Sequence, residues 1–110
     1  MIFKTTGVDI NGTHLQGYVL ARYSDLVKIF GEPQEADGYK VSSEWEIEFA
    51  DGTVASIYDY KETSLYDRDY PSPKNFRIAA DKGKGFEWHI GGHNKAAVAR
   101  VYDALNIAAS

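Results

Sequence analysis

The sequence contains no cysteine, which excludes disulfide bonds and thiolate metal sites and fits a reducing cytosol. It also has no apolar run near the roughly 20 residues that a membrane-spanning helix needs, and its N-terminus lacks a signal-peptide pattern. Positive charge is scarce, with 12 lysines and arginines against 16 acidic residues. Because a general nucleic-acid binder needs a basic face, neither a nucleic acid nor a membrane is predicted as a partner. We predict a soluble intracellular protein.

Aromatic side chains are abundant by contrast, with eight tyrosines, five phenylalanines and two tryptophans. Such residues are common in protein cores and also serve as anchors in binding surfaces. The chain has 110 residues, of which 44% are hydrophobic. This is enough to bury one core, so residues 1–110 are predicted to form a single domain.

Residues 41–61 carry the strongest structural signal, a β-hairpin. Its first strand alternates apolar and acidic residues in the order Glu44, Trp45, Glu46, Ile47, Glu48, Phe49. A three-residue loop, residues 50–52, would pair Ile47 with Ala55 and Trp45 with Ile57, which keeps one face apolar. A two-residue loop would mix the faces. We therefore predict the longer loop, with Gly52 in a left-handed conformation.

Further elements follow from periodicity and from capping residues. A strand is predicted over residues 14–21, and a helix from a cap at Ser24 to Phe30. A third clear strand covers residues 86–90 and is ended by Gly91 and Gly92, and the last helix runs from a cap at Asn94 to about Leu105. Residues 62–85 are predicted to form a long irregular loop, in which residues 76–80 would add a short strand.

These elements predict an α+β fold. The order β-α-β-β-β-α gives a two-layer sandwich, with an antiparallel sheet of about four strands and two helices packed on one face.

The turn before the last helix is the candidate ligand site. Free backbone N–H groups and the helix dipole can hold an anion at such a point, and glycines allow a phosphate to approach. A tight turn without a ligand is the alternative. The candidate residues are Gly91, Gly92, His93, Asn94 and Lys95. His89 and His93 flank the glycines, but no acid is placed to complete a metal site, so neither a metal nor another cofactor is predicted.

Exposed tyrosines and the glutamate row form the candidate surface for a protein partner. Its residues are Glu44, Glu46, Glu48, Tyr58, Tyr66 and Tyr70. The glutamate row is either a solvated outer face or an acidic recognition stripe. Glutamates on one strand face could also act as general acid and base, but an open wet face does not shift carboxyl pKa values. No catalytic residue is assigned, and no enzyme activity is predicted.

Four blocks of sequence resemble a family of small proteins encoded by tailed bacteriophages. The blocks are residues 12–17, residues 23–27 with 30–33, residues 44–61, and residues 88–92 followed by Ala97 and Val98. The family has no assigned activity, and residues 62–85 form a longer segment here than is usual for it. The resemblance implies a phage protein acting in the cytoplasm of an infected host cell.

Small accessory phage proteins commonly bind and disable a host enzyme or a defence component. The resemblance therefore predicts a non-enzymatic protein that inhibits or modulates a host protein, such as an anti-phage defence protein. The alternative is a sponge that sequesters a nucleotide second messenger or another small anion at Gly91 and Gly92. Whether the chain forms a homo-oligomer stays open.

Overall fold

The computed structural model describes residues 2–34, 40–60, 62–63 and 65–106 and confirms the α+β sandwich. Within those residues it has five strands and three helices. They are β1 (Phe3–Lys4), β2 (His14–Ala21), α1 (Tyr23–Phe30), β3 (Glu44–Phe49), β4 (Val54–Tyr58), α2 (Pro73–Ala79), β5 (Phe86–Gly92) and α3 (Ala96–Leu105). Strand β1 and helix α2 are additions to the predicted order.

All strand pairs in the single sheet are antiparallel, and the strand order is β1-β3-β4-β5-β2. The hairpin of β3 and β4 sits inside this sheet with the predicted register, Ile47 opposite Ala55 and Trp45 opposite Ile57. Gly52 has φ 88°, the left-handed conformation that the three-residue loop requires. Register and loop length are therefore both confirmed.

One face of the sheet is covered by helices. Aromatic side chains from three elements meet there: Trp45 and Trp88 lie edge to face at 5.4 Å between ring centroids, and Phe76 of α2 lies 5.8 Å from Trp88. The Trp88 indole also donates to the carbonyl of Ala21 at 2.9 Å. Both tryptophans are buried, as their positions in the alternating strands predicted.

Helix α3 packs closely on the same face because glycines in the sheet leave room for it. A Cβ at Gly92 would overlap the Cβ of Ala97, and a Cβ at Gly17 would come within 3.0 Å of Val98. Gly92 is therefore a packing residue between strand and helix.

Two predictions for the second half of the chain are wrong. Strand β5 continues through Gly91 and Gly92, since both glycines pair with neighbouring strands. Residues 76–80 are not a strand, because Phe76 lies in helix α2. The Ser72 hydroxyl accepts a hydrogen bond from the Asn75 N–H, and Pro73 occupies the first turn, a combination that favours a helix start.

A buried polar group joins α2 to the hairpin. The Asp59 carboxylate is fully buried and accepts hydrogen bonds from the N–H groups of Ser42 and Ser43, at 2.8 and 2.9 Å, and from the Ser42 hydroxyl. Arg77 of α2 in turn donates to the Ser43 hydroxyl at 2.8 Å. These contacts satisfy the buried carboxylate and fix where α2 sits.

Two side chains cover the backbone of the edge strand β2. One comes from α3 and the other from the turn that precedes α3. The Tyr102 hydroxyl donates to the Tyr18 carbonyl at 2.7 Å, and the Lys95 ammonium donates to the Gln16 carbonyl. Capped carbonyls are less available to a foreign strand, which protects the edge of a sheet. Among the described residues, no helix is both long enough and apolar enough to cross a lipid bilayer.

Candidate binding surface on the open face of the sheet

The second face of the sheet is not covered by any helix in the described residues, and we call it the open face. Side chains alternate along each strand, so the register decides which residues lie there. They are Lys4 of β1, Leu15, Tyr18 and Leu20 of β2, Glu44, Glu46 and Glu48 of β3, Val54, Ser56 and Tyr58 of β4, and Glu87 and His89 of β5.

The most unusual feature of the open face is a group of four rings, which we call the tyrosine–histidine cluster: Tyr18, Tyr58, Tyr60 and His89. The imidazole of His89 is at its centre. It stacks on Tyr58, with centroids 5.4 Å apart and an interplanar angle of 27°, and meets the edge of Tyr18 at 5.0 Å. Tyr60, just after β4, lies 5.6 Å away. The cluster thus joins β2, β4 and β5 across the sheet.

A recess of about 330 Å³ opens beside this cluster and is lined by Leu15, Tyr58, Tyr60 and His89. Much of its wall faces solvent, since Leu15 is 48% exposed and the neighbouring Tyr18 is 43% exposed. The recess falls at the small end of the range for ligand pockets. Its size suits one side chain or a small planar group.

Gly91 forms part of the floor below the cluster. A Cβ at this position would come within 2.5 Å of the Ser56 hydroxyl and 3.5 Å of the Tyr58 ring. Because Gly91 has no side chain, the side chains of Ser56 and Tyr58 can pack directly over its backbone. The structure gives Gly91 a role in shaping the open face from within a strand.

Burial favours the uncharged forms of two rings of the cluster, His89 and Tyr58. Burial lowers the pKa of His89 below its usual value, although the nearby Glu87 and Asp59 carboxylates oppose that shift. Burial, and then the charge of Glu44, raises the pKa of Tyr58. The Nδ1 atom of His89 is buried and has no hydrogen-bond partner among the described residues. Such an atom lowers stability, so its retention in a folded protein calls for an explanation.

The acidic half of the open face lies on β3, beside the cluster. Glu44, Glu46 and Glu48 all point to this face, opposite Tyr58, Ser56 and Val54 respectively. The five strands contain four glutamates and one lysine, and all five of these residues lie on the open face. The lysine, Lys4, is at the far edge of the sheet, where its ammonium is 3.9 Å from Glu48. The face is therefore aromatic over β4, β5 and β2 and negatively charged over β3.

Two of the predicted partner-binding tyrosines lie off the sheet. Tyr66 and Tyr70 belong to the turns that precede α2, and their ring centroids are 6.4 Å apart. The structure places Tyr58 with the glutamate row, as the hairpin pattern predicted, and leaves this second tyrosine pair in the segment of residues 62–85.

The five residues of the predicted anion site have separate structural roles. Gly91 and Gly92 lie within β5, and the Lys95 ammonium is bound to the Gln16 carbonyl of β2. The Asn94 side chain accepts a hydrogen bond from the Ala96 N–H at 2.9 Å, but the N-cap residue of α3 is Lys95 rather than the predicted Asn94. His93 and Asn94 line a separate recess that also contains the carboxylate of Asp51. Asp51 is ion-paired with Arg100 at 2.8 Å, so this recess offers an anion an already paired carboxylate rather than a free cation.

Metal binding gains no support from the described residues. They contain no group of three or more histidine, cysteine, aspartate or glutamate side chains that could hold a metal ion.

Comparison with models of protein families gives no match, and comparison with curated proteins finds no relative. The function is therefore argued from the residues themselves.

Three residues that line the recess are not assigned to a binding surface by the sequence analysis, which weighs His89 only as a metal ligand: Leu15, Tyr60 and His89. The signal for His89 was present, because it alternates with buried Trp88 and Ile90 and must point away from the helices. What was missing was the sheet order, since only the placement of β5 between β4 and β2 brings these residues together.

Proposed function

We propose that this protein is a non-enzymatic binding protein and that its open face holds a partner protein. The observation that carries the proposal is the tyrosine–histidine cluster on a face that no described helix covers, with a buried Nδ1 atom that has no hydrogen-bond partner among the described residues. Tyrosine is enriched in the centres of protein interfaces, where it supplies a large contact area with little loss of side-chain freedom. An aromatic cluster with a row of polar, acidic side chains beside it fits that pattern of a binding centre and a polar margin.

The chemistry of the recess supports binding rather than catalysis. Its lining side chains are one leucine, two tyrosines and one neutral histidine. The Ser56 hydroxyl nearby is buried beneath the cluster, so it is poorly placed to attack a substrate. The glutamates lie on an open strand face, where water solvates both partners of any acid–base pair.

The resemblance to tailed-phage proteins adds a kind of partner to this proposal. It suggests a phage protein that acts in the infected host cell and that inhibits or modulates a host enzyme or defence protein. The alternative of a sponge for a nucleotide or another anion has little support from the site. Gly91 and Gly92 have packing roles, and the Lys95 ammonium donates to the Gln16 carbonyl.

Site-specific photo-cross-linking tests the binding surface. A photoreactive phenylalanine analogue replaces Leu15 on the open face or, as a matched control, Ile78 on α2; these side chains are 48% and 50% exposed. We expect one protein adduct from the Leu15 position in cells that produce the protein, and none of that adduct from the Ile78 position. Leu15→Lys should abolish co-purification of the same partner, because it places a bulky positive charge at the mouth of the recess.

An adduct from the Ile78 position alone would contradict the proposal, and so would the absence of an adduct from both. Mass spectrometry of the purified protein under native conditions provides a second readout. A bound nucleotide in place of a protein partner would favour the sponge.

A further inference from the structure

The recess beside His89 has walls that suit a flat, positively charged group. Tyr58 and Tyr60 both line it and both lie within 5.6 Å of the His89 ring, measured between centroids. The face of a tyrosine ring is electron-rich and attracts cations, most strongly where water is partly excluded. Leu15 closes one side with an aliphatic wall, which would pack against the methylene groups leading to such a cation.

The charges around the recess are also complementary to a cation. Glu44 pairs with Tyr58 across the hairpin, and Glu87 is adjacent to His89 on β5. Asp59, which is buried, follows Tyr58 along the chain, and it acts on His89 electrostatically. The lysine that the described strands place on the open face is Lys4 of β1, and β3 lies between it and the cluster strand β4. A cation entering the recess would therefore contact aromatic rings and Leu15, with the Glu44 and Glu87 carboxylates on the same face of the sheet.

We propose that this recess binds the guanidinium group of an arginine presented by the partner protein. The inference rests on the proposed function, since it specifies what the partner inserts into the open face. Arginine fits better than lysine, because the planar guanidinium stacks on aromatic rings and is weakly hydrated. An anionic group is disfavoured by the same carboxylates.

Peptide titrations followed by NMR test the inference directly, and the 12.3 kDa chain is well suited to them. The probes are two short capped peptides of glycine and serine, one with a central arginine and one with its neutral isostere citrulline. We expect the arginine peptide to shift the ring resonances of Tyr58, Tyr60 and His89 at millimolar concentration. The citrulline peptide should bind at least about tenfold more weakly, because it keeps the shape and loses the charge.

Variants show where the peptide binds. Tyr60→Ala should weaken arginine-peptide binding several-fold, whereas Tyr60→Phe should keep it, since the ring rather than the hydroxyl contacts the cation. Glu44→Gln should weaken binding in a manner that added salt reduces. Ile78→Ala changes an exposed side chain on α2 and should leave the titration unchanged. Thermal melting of each variant checks that it is folded.

Equal binding of the arginine and citrulline peptides would overturn the inference, as would shifts confined to residues outside the recess or no shift at all. The cross-linking experiment keeps this failure separate from failure of the proposed function. If a partner cross-links from the Leu15 position but the two peptides bind equally, the proposed binding surface stands and only the arginine inference is rejected. If no partner cross-links from the Leu15 position and the two peptides bind equally, both the proposed function and the arginine inference are rejected.

Discussion

His89 is the residue whose surroundings differ most from those expected on an ordinary solvent-facing side of a sheet. A phenylalanine or leucine at this position could pack against Tyr18 and Tyr58 without leaving a buried polar atom unpaired. An unpaired buried acceptor destabilises a fold by about 1–3 kcal/mol. Proteins retain such residues chiefly where activity requires them, which is the reason to look for a ligand here.

His89→Phe should raise the free energy of unfolding by about 1 kcal/mol near neutral pH, because it keeps the ring and removes the unpaired nitrogen. The pKa of His89 in the folded protein is below its usual value of 6.5, so the unfolded chain binds a proton first as the pH falls. Wild-type stability should thus decline below pH 6.5, and the advantage of the variant should grow.

Urea unfolding, followed by tryptophan fluorescence above and below pH 6.5, measures this difference. His93→Gln changes an exposed histidine and provides the control. Identical unfolding curves for His89→Phe and wild type at both pH values would show that the buried nitrogen has no effect on stability.

Gly92 provides a second test at the scale of one residue. Gly92→Ala should destabilise the protein by about 2 kcal/mol, since its Cβ would overlap that of Ala97 on α3. The double variant with Ala97→Gly should recover part of that loss, giving a clear coupling energy in a double-mutant cycle. Denaturant midpoints of the four proteins measure it. If Gly92→Ala were as stable as wild type, Gly92 would have no packing role, and its role in the predicted anion site would have to be reconsidered.

At the scale of elements, the hairpin turn is tied to helix α3 by one carboxylate. Asp51 accepts a hydrogen bond from the Thr53 N–H at 3.0 Å and one from the Arg100 guanidinium at 2.8 Å. These hydrogen bonds, the one from Thr53 first, hold the pKa of Asp51 at about 2, below its usual 3.8. The ionised form thus stabilises both the turn and its contact with the helix.

The sign of the resulting pH dependence follows from that lowered pKa. The contribution of Asp51 to stability is complete above pH 3.8 and is lost as the pH falls towards about 2. Asp51→Asn should therefore flatten the acid limb of the stability profile. Arg100→Gln should flatten it less, because the hydrogen bond from Thr53 remains. An unchanged acid limb in Asp51→Asn would show that the carboxylate does not link the two elements.

Local patterns predicted some elements well and others poorly, for identifiable reasons. The register of β3 and β4 was predictable because alternation and loop length both act within about 15 residues. Helix α2 was missed although Ser72 and Pro73 mark a helix start, since its seven residues show too short an apolar stripe to outweigh the surrounding turns. The tyrosine–histidine cluster depends on pairing between distant strands, and no local pattern encodes that pairing.

At the scale of the whole molecule, the two tryptophans hold sheet and helices together. Trp88 contacts Trp45, Phe76 and Phe86, and its indole N–H is bonded to Ala21, so it joins four elements. Trp88→Ala should lower the free energy of unfolding by about 3–5 kcal/mol, and Trp45→Ala should do the same. Losses of that size approach the total stability of many domains.

Circular dichroism melting measures both effects. Trp88→Phe is the matched control: it keeps an aromatic ring but leaves the Ala21 carbonyl without its indole donor, so its melting temperature should be intermediate. Wild-type melting of either alanine variant would mean that the core is organised around other residues.

The sheet order also has a consequence for synthesis on the ribosome. The first two strands to be translated, β1 and β2, take opposite edges of the sheet, and the partner of β2 is β5. Ala21 and Trp88, which share a hydrogen bond, are 67 positions apart. At roughly 5–20 residues per second, β2 waits several seconds for its partner to emerge. During that time Leu15, Tyr18 and Val19 are exposed on an unpaired strand, so the nascent chain should be open to chaperone binding or aggregation until β5 has emerged.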